Sequence, residues 1–211
     1  MKMSEYNYIS TPTQGTTINY VSSYTDEQVL KDIESNESRD RYVAARMIYD
    51  SFKEGVSNIT LTPTDIKCAV DLKCSCTVPL PEYTSSTTCN FNVEIKERYK
   101  DEENLKKYPD VELKVSKYQR MKRESQGKFL FYIVLLNEKT GYIFDLTDIN
   151  KIQGLQTFNW TIKKTQLDPN SGYETVPTYL IPTSNAVRKI DITQYYRDYY
   201  NANYTETKEE I

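Results

Sequence analysis

The segment Cys89–Lys100, CNFNVEIKERYK, sets a carboxylate and an ammonium two residues apart, at Glu94 and Lys96. Successive side chains of an extended chain point to opposite faces. Phe91, Val93 and Ile95 therefore share an apolar face, and Asn92, Glu94, Lys96 and Arg98 share the polar one. The earlier stretch Ile66–Val78, IKCAVDLKCSCTV, alternates in the same way, with Cys68, Val70, Leu72, Cys74 and Cys76 on one side and Lys67, Ala69, Asp71, Lys73 and Ser75 on the other. If these two strands pair, Asp71 and Glu94 converge beside Lys96. Carboxylate oxygens are hard ligands that suit Mg²⁺ or Mn²⁺. Such an ion acidifies a bound water and offsets charge developing on a phosphodiester, while a lysine one pleat away can orient that water or stabilise an oxyanion. The trio predicts metal-assisted phosphodiester hydrolysis.

Composition narrows the alternatives. The 211-residue chain contains no histidine, which excludes Ser-His-Asp and Cys-His catalysis and imidazole metal sites. A net charge of −3 gives no global attraction to nucleic acid, so contact with phosphates needs a local basic surface or a metal. Of the four cysteines, Cys68, Cys74 and Cys76 fall on the apolar side of their stretch and Cys89 follows a Pro/Ser/Thr loop. That spacing suits buried free thiols better than paired zinc ligands. No apolar run is long enough to span a bilayer, and MKMSEYNYISTPTQG has no apolar h-region. The expected location is a cytoplasm, a cell's own or an infected host's.

The elements that must position the trio follow from periodicity. Residues 1–24 read as a polar arm. A helix opens with a capping box from Thr25 to Gln28 and stops near Gly55, broken by SNES, with Arg41, Ala44, Ala45, Ile48 and Phe52 facing inward. Three strands follow, then a charged connection, then a helix over VELKVSKYQRMKRES. KFLFYIVLL reads as a buried central strand, turning at NEKTG into YIFDLTDI. The α/β core spans 25–150. Peripheral strands complete it over 151–189, and 190–211 reads as a tyrosine-rich tail.

This order and the motif Asp71…Glu94-Ile95-Lys96 resemble the PD-(D/E)xK, or restriction-endonuclease-like, nuclease superfamily over roughly residues 30–148. The resemblance implies an αβββαβ core with a mixed central sheet flanked by helices. It also implies a Mg²⁺ or Mn²⁺ site made by Asp71, Glu94 and the carbonyl of Ile95, with Lys96 catalytic. A leading-helix glutamate, Glu37 or else Glu34, would join the site, and Lys117 or Gln119 would lie near the scissile phosphate. DNA would be held by Lys114, Lys117, Gln119, Arg120 and Arg123, in the basic cluster that also includes Lys122. The competing expectation is an inactive nuclease-like structural or interaction protein, for example a component of a phage particle located in the virion. Its terminal extensions would bind protein partners through Tyr195, Tyr196, Tyr199 and Tyr200.

Overall fold

The computed structural model describes residues 26–65, 68–80, 85–100, 102–107, 109–163 and 172–204; the N-terminal arm and the Thr25 cap lie outside them. Helix α1 (Asp26–Phe52) leads into the antiparallel strands β1 (Ser57–Pro63), β2 (Leu72–Pro79) and β3 (Ser86–Arg98). A short helix α2 (Glu102–Lys107) and strand β4 (Asp110–Lys114) precede α3 (Val115–Ser125). Helix α3 crosses over to β5 (Phe129–Leu136), which lies parallel to β3 and antiparallel to β6 (Thr140–Asp145). Strands β7 (Gln156–Lys163), β8 (Tyr173–Pro182) and β9 (Arg188–Asp191) and helix α4 (Thr193–Tyr204) complete the chain. A mixed six-stranded sheet runs β1-β2-β3-β5-β6-β9, and a three-stranded sheet runs β4-β8-β7.

The large sheet is covered on both faces, so its central strand must be apolar throughout. Ile133 and Leu135 of β5 face α1 and α4, with Val43, Met47, Leu72, Phe91 and Tyr196. Leu130, Tyr132 and Val134 face α3 and the small sheet, with Tyr118, Met121, Phe144 and Ile181. Gly141 in β6 lets α1 and α4 approach: a Cβ there would stand 2.4 Å from the Met47 Cε and 2.9 Å from a methyl of Ile192.

The architecture is α/β with a mixed sheet, and several local expectations need correction. SNES does not break α1: the helix runs through it although Asn36 and Ser38 are exposed, because the Val43–Ile48 half packed on the sheet supplies turns from which the helix propagates. The inward stripe is Val43, Ala44, Met47 and Ile48, whereas Arg41 and Ala45 are only half-buried. The first part of VELKVSKYQRMKRES is strand β4, whose Val111 and Leu113 alternate toward the core and whose backbone pairs with β8. Strand β2 begins at Leu72, so Cys68 and Val70 are not on its apolar face; Cys68–Asp71 form a bend that turns Ala69 and Val70 into the α3-side core.

The tail also departs from expectation. Residues 188–204 form an edge strand and a docked helix, and the tyrosines proposed as an outward interface pack back on the domain. Tyr196 is 2% exposed. The Tyr195 hydroxyl donates to Asp50 Oδ2 at 2.7 Å, and the Tyr199 ring lies 5.5 Å from that of Tyr42. What holds α4 is a charged cluster centred on Arg39, which is 8% exposed. Its guanidinium reaches Glu97 at 2.6 Å, Asp40 at 3.1 Å and Glu138 at 3.6 Å, and lies 5.5 Å from the Tyr196 ring centroid. Tyr99 and Tyr200 donate to Glu97 and Glu138 at 2.7 and 3.0 Å.

Two substitutions test this packing. Gly141→Ala should cost about 1–3 kcal/mol through overpacking, read as a lowered denaturation midpoint; an unchanged midpoint would mean that the helices do not close on β6. Arg39→Met strands three carboxylates around one buried position and should cost about 3–5 kcal/mol, with early loss of α4 protection in hydrogen exchange.

Candidate functional site

The site forms where β2 stops short. Leu72 is paired with Val93, so the β3 backbone from Glu94 onward has β5 on one side and, among the described residues, no strand on the other. Asp71 fills the start of this gap. Its N–H donates to the Val93 carbonyl at 2.8 Å, and its Oδ2 accepts the Ile95 N–H at 2.7 Å. The N–H and C=O of one residue in an extended strand point to the same side, so the Ile95 carbonyl is also directed to the Asp71 side. The bend before Asp71 is held from α3 and β1. Glu124 Oε2 accepts the Ala69 N–H at 2.7 Å, while Arg120 Nε pairs with Glu124 Oε1 at 3.3 Å. Thr64 donates its N–H to the Asp71 carbonyl at 3.0 Å and its hydroxyl to the Val70 carbonyl.

Glu94 is 7% exposed and points to the α3 side, as does its neighbour Asn92, whose amide donates to Ser125 Oγ at 3.2 Å. Glu94 Oε1 receives Lys117 Nζ at 2.8 Å, and the Glu94 carboxyl also meets the carboxyl of Asp71. Burial, then the charge of Asp71, push the Glu94 carboxyl up to about 8, against the pull of Lys117. Lys96 is exposed to solvent at the same site. The protein packed around its stem, then the positive charge of Arg98, lower its pKa from the usual lysine value, against the pull of Glu94.

The structure therefore brings together Asp71, Glu94, the Ile95 backbone, Lys96 and Lys117. Glu37 is not among them: it pairs with Arg41 at 3.5 Å, and Arg41 in turn donates to the Thr64 carbonyl at 3.3 Å. The Glu34 side chain lies outside the described residues. Among the described residues no group of three or more His, Cys, Asp or Glu side chains gathers as a metal cage. On α1, Asp40 pairs with Arg39 at 3.1 Å in the cluster that holds Glu97, and burial, then Glu97, push it up to about 7 against the pull of Arg39. Sequence reading missed Asp40, although the spacing Arg39, Val43, Met47 puts its neighbour on the buried face of α1. It also missed Glu124, for which no local pattern could reveal a bond to Ala69. On α3, Gln119, Arg120 and Arg123 are exposed, as is Lys114 just before the helix, whereas Lys117 is half-buried and turned to Glu94.

The thiols serve the opposite face. Cys76 and Cys89 line an apolar cavity of about 200 Å³ with Phe52, Phe91 and Phe131, and all four cysteines are free. Burial, then Cys76, push the Cys74 thiol up to about 12, and burial raises Cys76 as well, so both stay protonated.

No protein-family model matches the chain, and no curated protein or solved structure matches it either. Among the described residues no helix is long and apolar enough to cross a membrane.

The two raised carboxyls set a pH dependence. A folded state that holds protons on Glu94 and Asp40 up to about 8 and about 7, where the unfolded chain has released them, loses stability as pH rises from the ordinary carboxylate range through those values. Glu94→Gln should raise the melting temperature at pH 8 and flatten the upper part of this decline in a thermal-unfolding series. An unaltered slope would mean that Glu94 ionises normally.

Proposed function

We propose that the chain is a divalent-metal-dependent nuclease that hydrolyses phosphodiester bonds of DNA on a restriction-endonuclease-like αβββαβ core. The carrying observation is the buried Glu94 carboxyl set directly beside that of Asp71, where β3 has no further strand neighbour on that side among the described residues. Two carboxyls held together in a buried site repel once both are ionised, and a cation between them removes that cost. Asp71, Glu94 and the Ile95 carbonyl offer hard oxygen donors that fit Mg²⁺ or Mn²⁺. Bound there, the ion would supply an acidified water and charge neutralisation at the phosphate.

The chain's own groups have separable tasks. Lys96, solvent-exposed and with a lowered pKa, suits taking up or holding a proton near the attacked phosphorus, or stabilising the oxyanion. Lys117 balances Glu94 and keeps a third of its side chain accessible for a phosphate oxygen. The exposed Lys114, Arg120 and Arg123 offer backbone contacts that fix register without reading bases. The compartment consistent with this activity is a cytoplasm.

A second reading has its own observation. Lys117 already pairs with Glu94, and Asp71 already caps the Ile95 N–H, so both acids have structural employment without a metal. On that account the chain is an inactive nuclease-like interaction protein, such as a virion component. Cleavage assays separate the two. With Mg²⁺ or Mn²⁺, wild type should cut DNA, chelator should stop it, and Asp71→Asn and Glu94→Gln should abolish it. Lys96→Ala should slow turnover by about 10²–10⁴-fold while leaving metal-induced thermal stabilisation in place. Equal background from wild type and Glu94→Gln on duplex and single-stranded DNA, with no metal-induced shift in melting, would favour the interaction reading.

A further inference from the structure

Among the described residues the small sheet ends in an uncovered edge. Strand β7 pairs with β8 on one side and with no strand among the described residues on the other. Natural edges are usually blunted by proline, charge, bulges or short length. β7 has none of these devices over most of its span: QTFNWTI contains no charge, proline or glycine, its ladder to β8 is unbroken, and Thr157, Phe158, Asn159 and Thr161 are exposed.

The register shows which backbone groups are bare. Asn159 lies opposite Pro177, and proline has no N–H to give. Residue pairs in an antiparallel ladder alternate between exchanging both hydrogen bonds and exchanging none. Asn159 and Pro177 are therefore a non-bonded pair, and the missing donor of Pro177 falls on the β4 side, where β4 has already ended at Lys114 opposite Thr178. It follows that Phe158 and Trp160 direct their backbone groups to β8, while Thr157, Asn159 and Thr161 direct theirs outward.

We propose that β7 pairs antiparallel with β7 of a second copy of this chain, in a register centred on Asn159, joining two small sheets into one. The strand is self-complementary in that register. Thr157 faces Thr161 of the other copy, and Asn159 faces its own counterpart, as bonded pairs built from the outward backbone groups. Phe158 faces Trp160 of the other copy in the non-bonded pairs, where side chains approach most closely. Phe158 and Trp160 already lie 6.4 Å apart on one face, so the two copies would gather four rings there. Phe158 is now 48% exposed and the Trp160 indole N–H has no partner. A two-fold axis through Asn159 makes the contact closed, so it ends at a dimer.

Cross-linking and mass measurement on the full chain test this independently of any enzymatic activity. Light scattering over a wide concentration range should show a monomer–dimer equilibrium. Asn159→Cys should form a covalent dimer under mild oxidation, well above the wild-type background from native cysteines, with the bridge mapped to position 159. Thr157→Cys should cross-link efficiently when mixed with Thr161→Cys, and poorly when oxidised alone. Asn159→Pro, which removes an outward donor, should give a folded monomer by circular dichroism. A wild type monomeric at every concentration, or cross-linking that is equally efficient from Thr157→Cys alone, would overturn the proposal.

Discussion

Beyond Val93 the strand β3 runs on with no strand among the described residues where β2 should be, and its backbone groups on that side still require partners. A buried N–H without one costs as much as a lost hydrogen bond. The chain meets this need first with a side chain: Asp71 accepts the Ile95 N–H at 2.7 Å. That places one carboxylate at the mouth of the gap, and the pleat of β3 places Glu94 next to it. Further along, the Glu97 side chain is taken up by Arg39 of α1 at 2.6 Å. The early end of β2 is what gathers acids, a lysine and a helix around one stretch of backbone.

Each face of β3 then carries a pair of acids and a cation that answers it. On the α3 side Asp71 and Glu94 meet each other, and Lys117 answers Glu94. On the α1 side Asp40 and Glu97 meet Arg39, and tyrosines from the β3 end and α4 close the shell. The two clusters differ in what they leave over. The Arg39 cluster is internally complete and fastens the C-terminal helix, so it reads as architecture. The Glu94 cluster carries an electrostatic cost within the fold, the kind of local sacrifice of stability that functional sites tend to show.

The small sheet supports this arrangement from outside. Its inner face, with Val111, Leu113 and Ile181, fills the core beneath α3. Both Arg98 and Tyr132 of the large sheet donate to the Glu112 carbonyl of β4, at 3.5 and 3.0 Å. β4 thus ties the small sheet to the large one immediately before the chain enters α3, and the position of Lys117 depends on that tie. Its outer edge at β7 takes no part in the carboxylate cluster.

Much of this was legible in the sequence because alternation and helical spacing depend only on neighbouring residues. The apolar run of β5, the polar face of β3 bearing Glu94 and Lys96, and the inward turn of Leu72, Cys74 and Cys76 follow from period two alone. The placement of Asp71 beside Glu94 was also readable, since Asp71 adjoins Leu72 and keeps the alternation of β2, although the bend before it does not. Tertiary structure decided the rest, where distant partners outbid local preference. It carried α1 through SNES, drew β4 away from α3 by pairing it with β8, and folded the tyrosines of α4 onto Arg39. It paired Glu37 with Arg41 rather than with the Asp71–Glu94 site and turned Lys117 inward to Glu94. Those choices are long-range electrostatics and burial, which depend on residues far apart in the chain, and no local pattern of spacing encodes them.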